Sequence, residues 1–271
     1  QLAKQHRLEK ELEVAREFQQ MLLPKQCPQV NGIEIAAFSE PALEVGGDYF
    51  DFLWIDEEHL GIVIGDVSGK GIPGALVMAM VRSILRAECR NSLSPADVLR
   101  RVNEYIRKDT KANVFITMTY AVLDIKSRLV RFARAGHEPL ITCNETGSEP
   151  SLFTPEGIAL GLVGEEIFNI TVDSEITLAN GDMVVLYTDG VVEAMNDASE
   201  EFGQNRFLNV IKSQRTGGAG DLINAVMEDI RQFTRGIPQH DDITIITLKV
   251  KPQTEAAQTR EETATGKVVT L

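Results

Sequence analysis

Cysteine is scarce in this chain, and its scarcity excludes two kinds of structural support. The 271 residues contain three cysteines, Cys27, Cys89 and Cys143, and no C-x-x-C pair. An odd number of widely spaced cysteines provides neither a disulfide framework nor a thiolate zinc site. We therefore expect the protein to work in a reducing compartment, the cytoplasm.

Long apolar runs and an excess of positive charge are also missing. No stretch reaches the roughly 20 apolar residues of a membrane-spanning helix, and no secretory signal precedes the fold. The chain has 27 basic and 40 acidic residues, a formal charge of −13, which disfavours nucleic acid or an anionic membrane as the main partner. The acidic excess instead suits the binding of divalent cations.

The first 23 residues predict an amphipathic helix. They contain neither glycine nor proline, and Leu8, Leu12, Ala15 and Leu22 recur at a rough 4-3 spacing before Pro24. We read residues 1–27 as a linker or dimerisation helix, which allows a homodimer. Because the chain opens at Gln1 rather than Met, we expect an upstream sensor domain on the same chain.

The remainder predicts one domain over residues 28–251 and a disordered tail over residues 252–271, which has little to bury. Strands and helices occur in blocks rather than in strict alternation, which predicts an α+β fold with antiparallel sheets. Residues 135–139, AGHEP, are typical of a hairpin turn. The helix expected from residue 72 to residue 87 is apolar nearly all round, which predicts burial on two sides.

Four aspartates stand where an apolar run meets a glycine-rich or acidic turn. Their segments are GGDYFD (residues 46–51), GDVSGKG (65–71), YTDG (187–190) and HDDIT (240–244), which contain Asp48, Asp66, Asp189 and Asp241. Hard oxygen ligands gathered from several strand ends are what Mg²⁺ or Mn²⁺ requires. Each aspartate alone is as readily a turn residue, but their recurrence favours a metal site.

In this order, together with AGHEPL, YTDGVVEA, FGxxRF and HDDITII, these motifs resemble the metal-dependent protein phosphatase (PPM, type 2C) superfamily, and most of all its SpoIIE/RsbU branch. The resemblance extends from residue 28 to residue 250. It implies an α-β-β-α sandwich, in which two mostly antiparallel sheets are flanked by helices.

The resemblance also implies two Mn²⁺ or Mg²⁺ ions. Asp66 would bridge both ions, Asp48 and the Val67 carbonyl would complete one, and Asp189 with Asp241 the other. A water between the ions would attack the phosphate, so no side chain is expected to act as the nucleophile. The implied substrate is a phosphoserine or phosphothreonine on a bacterial signalling protein, of the anti-sigma-factor-antagonist type.

Several neighbouring side chains are not expected to act in catalysis. Asp51 should face away from Asp48 on a regular strand, as a solvated or supporting group. Lys70 is expected to face solvent, His137 to lie in a turn, and His240 to pack or cap. Glu193 and Asp242 are read as surface or supporting groups.

Three alternative functions were weighed against the phosphatase. GGDYF differs from the GGDEF motif of diguanylate cyclases at its acidic position, and GDVSGKG is one residue short of a P-loop. A pseudophosphatase that keeps the fold for partner binding is the remaining alternative, and the intact acidic positions argue against it. Separately, residues 30–47 contain no arginine that could hold phosphate before Asp48.

Overall fold

The helices and strands lie in blocks along the chain, as predicted. The computed structural model describes residues 2–110, 114–147 and 149–251, so the predicted disordered tail lies outside the described residues. The helices are α1 (Leu2–Leu22), α2 (Ile72–Glu88), α3 (Pro95–Asp109), α4 (Glu165–Phe168), α5 (Gly203–Ser213) and α6 (Ala219–Thr234). The strands are β1 (Ile33–Glu40), β2 (Tyr49–Trp54), β3 (His59–Val67), β4 (Ile116–Asp124), β5 (Leu129–Ala135), β6 (Leu140–Cys143), β7 (Ser151–Phe153), β8 (Ser174–Thr177), β9 (Met183–Tyr187) and β10 (Ile243–Val250).

Two five-stranded antiparallel sheets form the centre of the fold, and this confirms the predicted sandwich. The first sheet has the order β1-β10-β9-β6-β7 and the second β2-β3-β4-β5-β8. Their inner faces share one apolar core, in which Ile62 and Phe132 meet Leu186 and Leu248. Helices α2 and α3 cover the outside of the second sheet, and α5 and α6 cover the first.

Helix α3 illustrates how local sequence fixes an element. Ser94 caps its start by accepting a hydrogen bond from the Asp97 backbone N–H at 3.2 Å, and Pro95 occupies the first turn. Its apolar side chains fall on one face and are buried, among them Val102 and Ile106. The capping serine, the proline of the first turn and the apolar face thus together account for where this helix begins and which side it buries.

Helix α2 differs from its prediction of burial on two sides. Met78, Val81 and Leu85 are fully buried on one face, whereas Leu76 is 67% exposed and Ile72 45% exposed. The composition of α2 predicts that all its faces are apolar. Which of those faces are buried depends on where the neighbouring helices and strands lie.

The AGHEP segment is not a hairpin turn, contrary to prediction. Strand β5 belongs to the second sheet and β6 to the first, so residues 136–139 cross from one layer to the other. The crossing carries His137 into the interior, where 3% of its surface is exposed. Turn-forming residues fix a local change of direction but not the strand that the chain joins next.

No helix in the described ranges combines the length and the apolar character that crossing a bilayer requires.

Candidate active site

Both sheets contribute to the four-aspartate site through the ends of their strands. Asp48 immediately precedes β2, and Asp66 and Val67 are the last two residues of β3. From the first sheet, Asp189 begins a short 3-10 helix after β9, and Asp241 lies two residues before β10.

The pKa values of three aspartates show that the four carboxylates are electrostatic neighbours. Burial, followed by the charges of Asp189 and Asp241, raises the pKa of Asp66 to about 8. Burial and then the charge of Asp66 raise the pKa of Asp48 well above its usual range. Burial and then Asp241 raise the pKa of Asp189. Like charges facing one another in a partly desolvated site favour a cation among them.

Two threonines hold the Asp48 carboxylate in place. The Thr188 and Thr244 hydroxyls donate hydrogen bonds to Asp48 Oδ2 at 2.8 and 2.6 Å, and all three residues are buried. These hydroxyls lower the pKa of Asp48 but are outweighed by burial. The role of these threonines is not predicted by the sequence, although each lies within three residues of a predicted ligand, in YTDG and HDDIT.

Asp242 is a supporting group rather than a surface group, since only 8% of it is exposed. Its carboxylate accepts hydrogen bonds from the backbone N–H groups of Ala42 at 2.8 Å, Gly47 at 2.6 Å and Asp48 at 3.3 Å. A Cβ on Gly46 would lie 2.4 Å from Asp242 Oδ2, so only glycine permits this close approach. Asp242 therefore shapes the loop that carries Asp48.

The backbone around Gly47 brings further oxygen atoms to the site. A Cβ placed on Gly47 would lie 2.9 Å from the Val67 carbonyl oxygen, 3.3 Å from the Gly69 carbonyl oxygen and 3.4 Å from Asp66 Oδ1. The absence of a side chain at Gly47 thus leaves the Val67 carbonyl and the Asp66 carboxylate open on the same side. Carbonyl and carboxylate oxygens together form a donor set suited to Mg²⁺ or Mn²⁺.

Lys70 is exposed, as predicted, but its ammonium group is also held by two partners. Its ammonium group lies 2.9 Å from Asp241 Oδ2 and donates to the His240 carbonyl, although half of the side chain stays exposed. With Asp48 bonded to threonines and Asp241 to Lys70, no group of three or more His, Cys, Asp or Glu side chains in the described part of the chain has metal-binding geometry. The oxygen chemistry and charge of the site fit divalent cations, but these carboxylates are turned to protein partners.

A family model described as Stage II sporulation protein E (SpoIIE) matches residues 56–251, more than half of the chain. The chain belongs to the SpoIIE family. The match includes Asp66, Val67, Asp189 and Asp241 and begins after Asp48.

Two relatives match a larger share of the chain than the family model does. Phosphoserine phosphatase RsbU of Bacillus subtilis (strain 168) is 30% identical over 253 residues, which cover 91% of this chain and 72% of RsbU. Protein IcfG of Synechocystis sp. is 29% identical over 88% of this chain, but the chain spans only 41% of IcfG.

Solved structures agree on the fold. The SiaA-PP2C domain of Pseudomonas aeruginosa superposes with a TM-score of 0.81 at 22% identity, over 92% of this chain and 99% of that one. The RsbU and RsbW domains of Rv1364c from Mycobacterium tuberculosis give a TM-score of 0.68 at 25% identity, over 88% and 70%. The chain is thus a SpoIIE-family PP2C phosphatase domain similar to RsbU.

Other candidate residues of this SpoIIE-family domain lie outside the four-aspartate group. Asp51 faces away from Asp48, as predicted, but it is fully buried rather than solvated, and it pairs with Arg86 Nε at 2.7 Å. His137 Nδ1 shares a hydrogen bond of 2.9 Å with the Thr117 hydroxyl, and burial lowers its pKa to about 3. Glu193 and His240 are exposed.

Helix α1 reaches the loop of Asp48 through one buried glutamine. Gln19 Nε2 donates to the Gly46 carbonyl at 2.7 Å, and Gln19 Oε1 accepts from the Gly46 N–H at 3.0 Å. Close by, Arg82 Nε of α2 donates to the Leu22 carbonyl at 2.7 Å. The end of α1 is thereby joined both to the candidate site and to α2. In the sequence, Gln19 is one polar residue among many on this helix, with no local signal of its contact to Gly46.

Proposed function

We propose that this chain is a metal-dependent serine/threonine protein phosphatase whose site consists of Asp48, Asp66, the Val67 carbonyl, Asp189 and Asp241. The observation that carries the proposal is the mutual repulsion of these carboxylates: Asp66, at the centre, has its pKa raised to about 8 by burial and by its acidic neighbours. At neutral pH such carboxylates either take up protons or gain a balancing positive charge.

Two Mn²⁺ or Mg²⁺ ions would supply that charge, neutralise the phosphoryl oxygens and activate water for attack. The chain itself contributes orientation. Thr188 and Thr244 hold Asp48 by its Oδ2 atom, and Asp242 fixes the backbone before it. These contacts limit the freedom of the ligands, which favours a defined geometry at the reacting phosphate.

The proposed substrate is a phosphorylated bacterial signalling protein of the anti-sigma-factor-antagonist type. Support comes from the identity to RsbU, whose name states a phosphoserine phosphatase, and from the likeness to a structure that contains RsbU and RsbW domains. The exposure of Lys70 and the lack of an arginine between residues 30 and 47 leave phosphate binding mainly to the cations.

The proposal includes control through α1, by an upstream sensor domain on the same chain and by dimerisation of the helix. The Gln19–Gly46 and Arg82–Leu22 contacts give α1 a direct mechanical connection to the loop of Asp48 and to α2. Val14, Phe18 and Met21 are more than half exposed on α1, which leaves an apolar stripe for a second copy of the helix.

Hydrolysis of p-nitrophenyl phosphate with Mn²⁺ present tests the phosphatase. We expect turnover that EDTA stops and that Asp66→Ala abolishes, whereas Asp229→Ala, an exposed carboxylate on α6, keeps it. Calorimetry with Mn²⁺ should show uptake by the wild type and weakened uptake by Asp66→Ala. Turnover that survives both EDTA and Asp66→Ala would contradict the proposed site.

The second candidate function is a pseudophosphatase that binds partners without turnover. It is favoured by two of the four carboxylates having protein partners: Asp48 bonds to Thr188 and Thr244, and Asp241 pairs with Lys70. Folded protein with neither Mn²⁺ uptake nor turnover would support this function and refute the phosphatase.

A further inference from the structure

A cavity of about 390 Å³ opens beside Asp241. Its walls come from the segment after the 3-10 helix, from the C-terminal half of α6, and from the loop before β10. Its apolar lining consists of Ala194, Met195, Met227, Ile230, Ile237 and Ile243. Polar and charged side chains make up the rest of the lining, so the cavity offers an apolar part beside a polar part. Concave sites of this size commonly bind ligands.

Hydrogen bonds hold the walls of the cavity together. Lys70 donates to the His240 carbonyl and pairs with Asp241. Gln239 Nε2 donates to the carbonyl oxygens of Glu40 at 2.8 Å and of Asp241 at 2.6 Å. The loop before β10 is thus tied both to the glycine-rich loop and to β1, so the cavity is preformed and a ligand need not order it.

The charges of the cavity lining do not favour a second phosphate. Three carboxylates, those of Glu40, Glu193 and Asp241, line the cavity together with two cations, Lys70 and Arg231. Lys70 is already paired with Asp241, and the excess of negative charge disfavours an anion. The apolar lining instead favours an uncharged, aliphatic group.

We propose that this cavity receives an aliphatic side chain of the phosphoprotein substrate, from a residue next to or one removed from the phosphorylated serine or threonine. The inference rests on the proposed function. Asp241 and Lys70 line the cavity and also belong to the candidate metal centre. An extended chain advances about 3.4 Å per residue. When the phosphate of the substrate lies at the carboxylates, a residue next to or one removed from the phosphorylated residue therefore reaches the cavity mouth.

The other available occupant is the tail of the chain itself, residues 252–271. The tail follows β10, whose first residue is near the cavity and whose eight residues extend roughly 26 Å away from it. The tail would therefore have to run back over the full length of the strand. A substrate already anchored by its phosphate has no such distance to cover.

Synthetic phosphopeptides test the inference. The parent is acetyl-Ala-Ala-pSer-Ala-Ala-amide, and leucine replaces each alanine in turn. We expect kcat/KM with Mn²⁺ to rise about tenfold for leucine in at least one position, since burying the larger aliphatic side chain in a partly open pocket gives that discrimination. Equal kcat/KM for leucine and alanine in all four positions would overturn the inference.

Two variants of the cavity and one control assign the leucine preference to this site. Thr234→Trp fills the cavity from α6 and Ile237→Ala removes part of its apolar lining; both should reduce the preference to less than about threefold. Gln232→Trp places the same bulk on an exposed position of α6 outside the cavity and should keep the preference. Circular dichroism establishes that each variant is folded, and an unchanged preference in both folded cavity variants would refute the assignment.

Failure of the inference can be told apart from failure of the proposed function. A wild type that hydrolyses p-nitrophenyl phosphate but shows no leucine preference refutes the cavity alone. If the wild type hydrolyses neither substrate, binding of fluorescein-labelled peptides decides: tighter binding of leucine peptides, lost in Thr234→Trp, keeps the cavity, and equal binding refutes it. A leucine preference that appears only after removal of residues 252–271 would assign the cavity to the tail instead.

Discussion

Replacing Asp242 by alanine should destabilise the protein and weaken the proposed metal site together. The carboxylate of Asp242 accepts three backbone N–H groups, from Ala42, Gly47 and Asp48. Asp242→Ala leaves these buried donors without their partner. The two short bonds, at 2.8 and 2.6 Å, are the ones expected to matter, since the third is 3.3 Å long.

A charged hydrogen bond to a buried donor contributes about 1.5–3 kcal/mol, so two such bonds set an upper bound near 6 kcal/mol. Relief of repulsion acts against this loss, because the charge of Asp242 also raises the pKa of Asp48 and of Asp66. That contribution is secondary to burial in both aspartates. We therefore expect Asp242→Ala to lower the free energy of unfolding by about 2–3 kcal/mol.

Urea unfolding in EDTA, followed by circular dichroism, measures this loss without a metal contribution. Asp242→Asn keeps one carbonyl oxygen as an acceptor and should lose about half as much free energy of unfolding. Asp229→Ala, at an exposed position of α6, should lose less than about 0.5 kcal/mol. With Mn²⁺ the gap between wild type and Asp242→Ala should widen by about 1.4 kcal/mol for each tenfold loss of affinity. A loss below about 1 kcal/mol in EDTA, with unchanged Mn²⁺ affinity, would refute the structural role of Asp242.

Three further predictions concern single side chains. Gln19→Ala should lower the free energy of unfolding by about 1–2 kcal/mol and weaken Mn²⁺ binding in calorimetry, because it frees the Gly46 backbone. The control Gln20→Ala, at the exposed neighbouring position, should do neither. Equal effects of the two variants would contradict the α1 contact. Asp66→Asn should raise the free energy of unfolding in EDTA by about 1–3 kcal/mol at neutral pH while abolishing turnover. The wild-type carboxyl, with its pKa raised to about 8, must take up a proton on folding at that pH, and the amide need not; a decrease would contradict the raised pKa. Burial lowers the pKa of His137 to about 3, whereas its value in the unfolded chain is about 6.5. The unfolded state therefore binds the proton first as the pH falls. The free energy of unfolding should decrease below about pH 6.5, by about 3 kcal/mol at pH 4.5. His137→Gln should remove that part of the pH dependence in urea titrations, and an unchanged slope would contradict it.

The candidate site was predictable where its residues combine a distinctive chemistry with a strand end. Asp48, Asp66, Asp189 and Asp241 each follow or precede a recognisable apolar run, and the order of their motifs carries the resemblance to the SpoIIE branch. The sandwich followed from the blocks of strands and helices, because block order restricts the layers that a chain forms.

Contacts between distant parts of the sequence were not predictable in the same way. Asp242 bonds to Gly47, 195 residues away, and Gln19 bonds to Gly46, 27 residues away. Neither pair has a local signature, since an Asp beside another Asp and a Gln on a helix are common. His137 was misplaced for a related reason: the turn chemistry of AGHEP is local, whereas the change of sheet depends on the whole topology.

The position of β10 within its sheet has a consequence for how the protein is made. This last strand lies between β1 and β9, and its eight residues pair along the whole of β1. During synthesis the first sheet therefore lacks an inner member until residue 250 has left the ribosome, and such long-range pairing forms late. A product that stops before residue 241 would lack both that strand and one of the proposed ligands, so a prematurely terminated chain is expected to be unfolded rather than an unregulated enzyme.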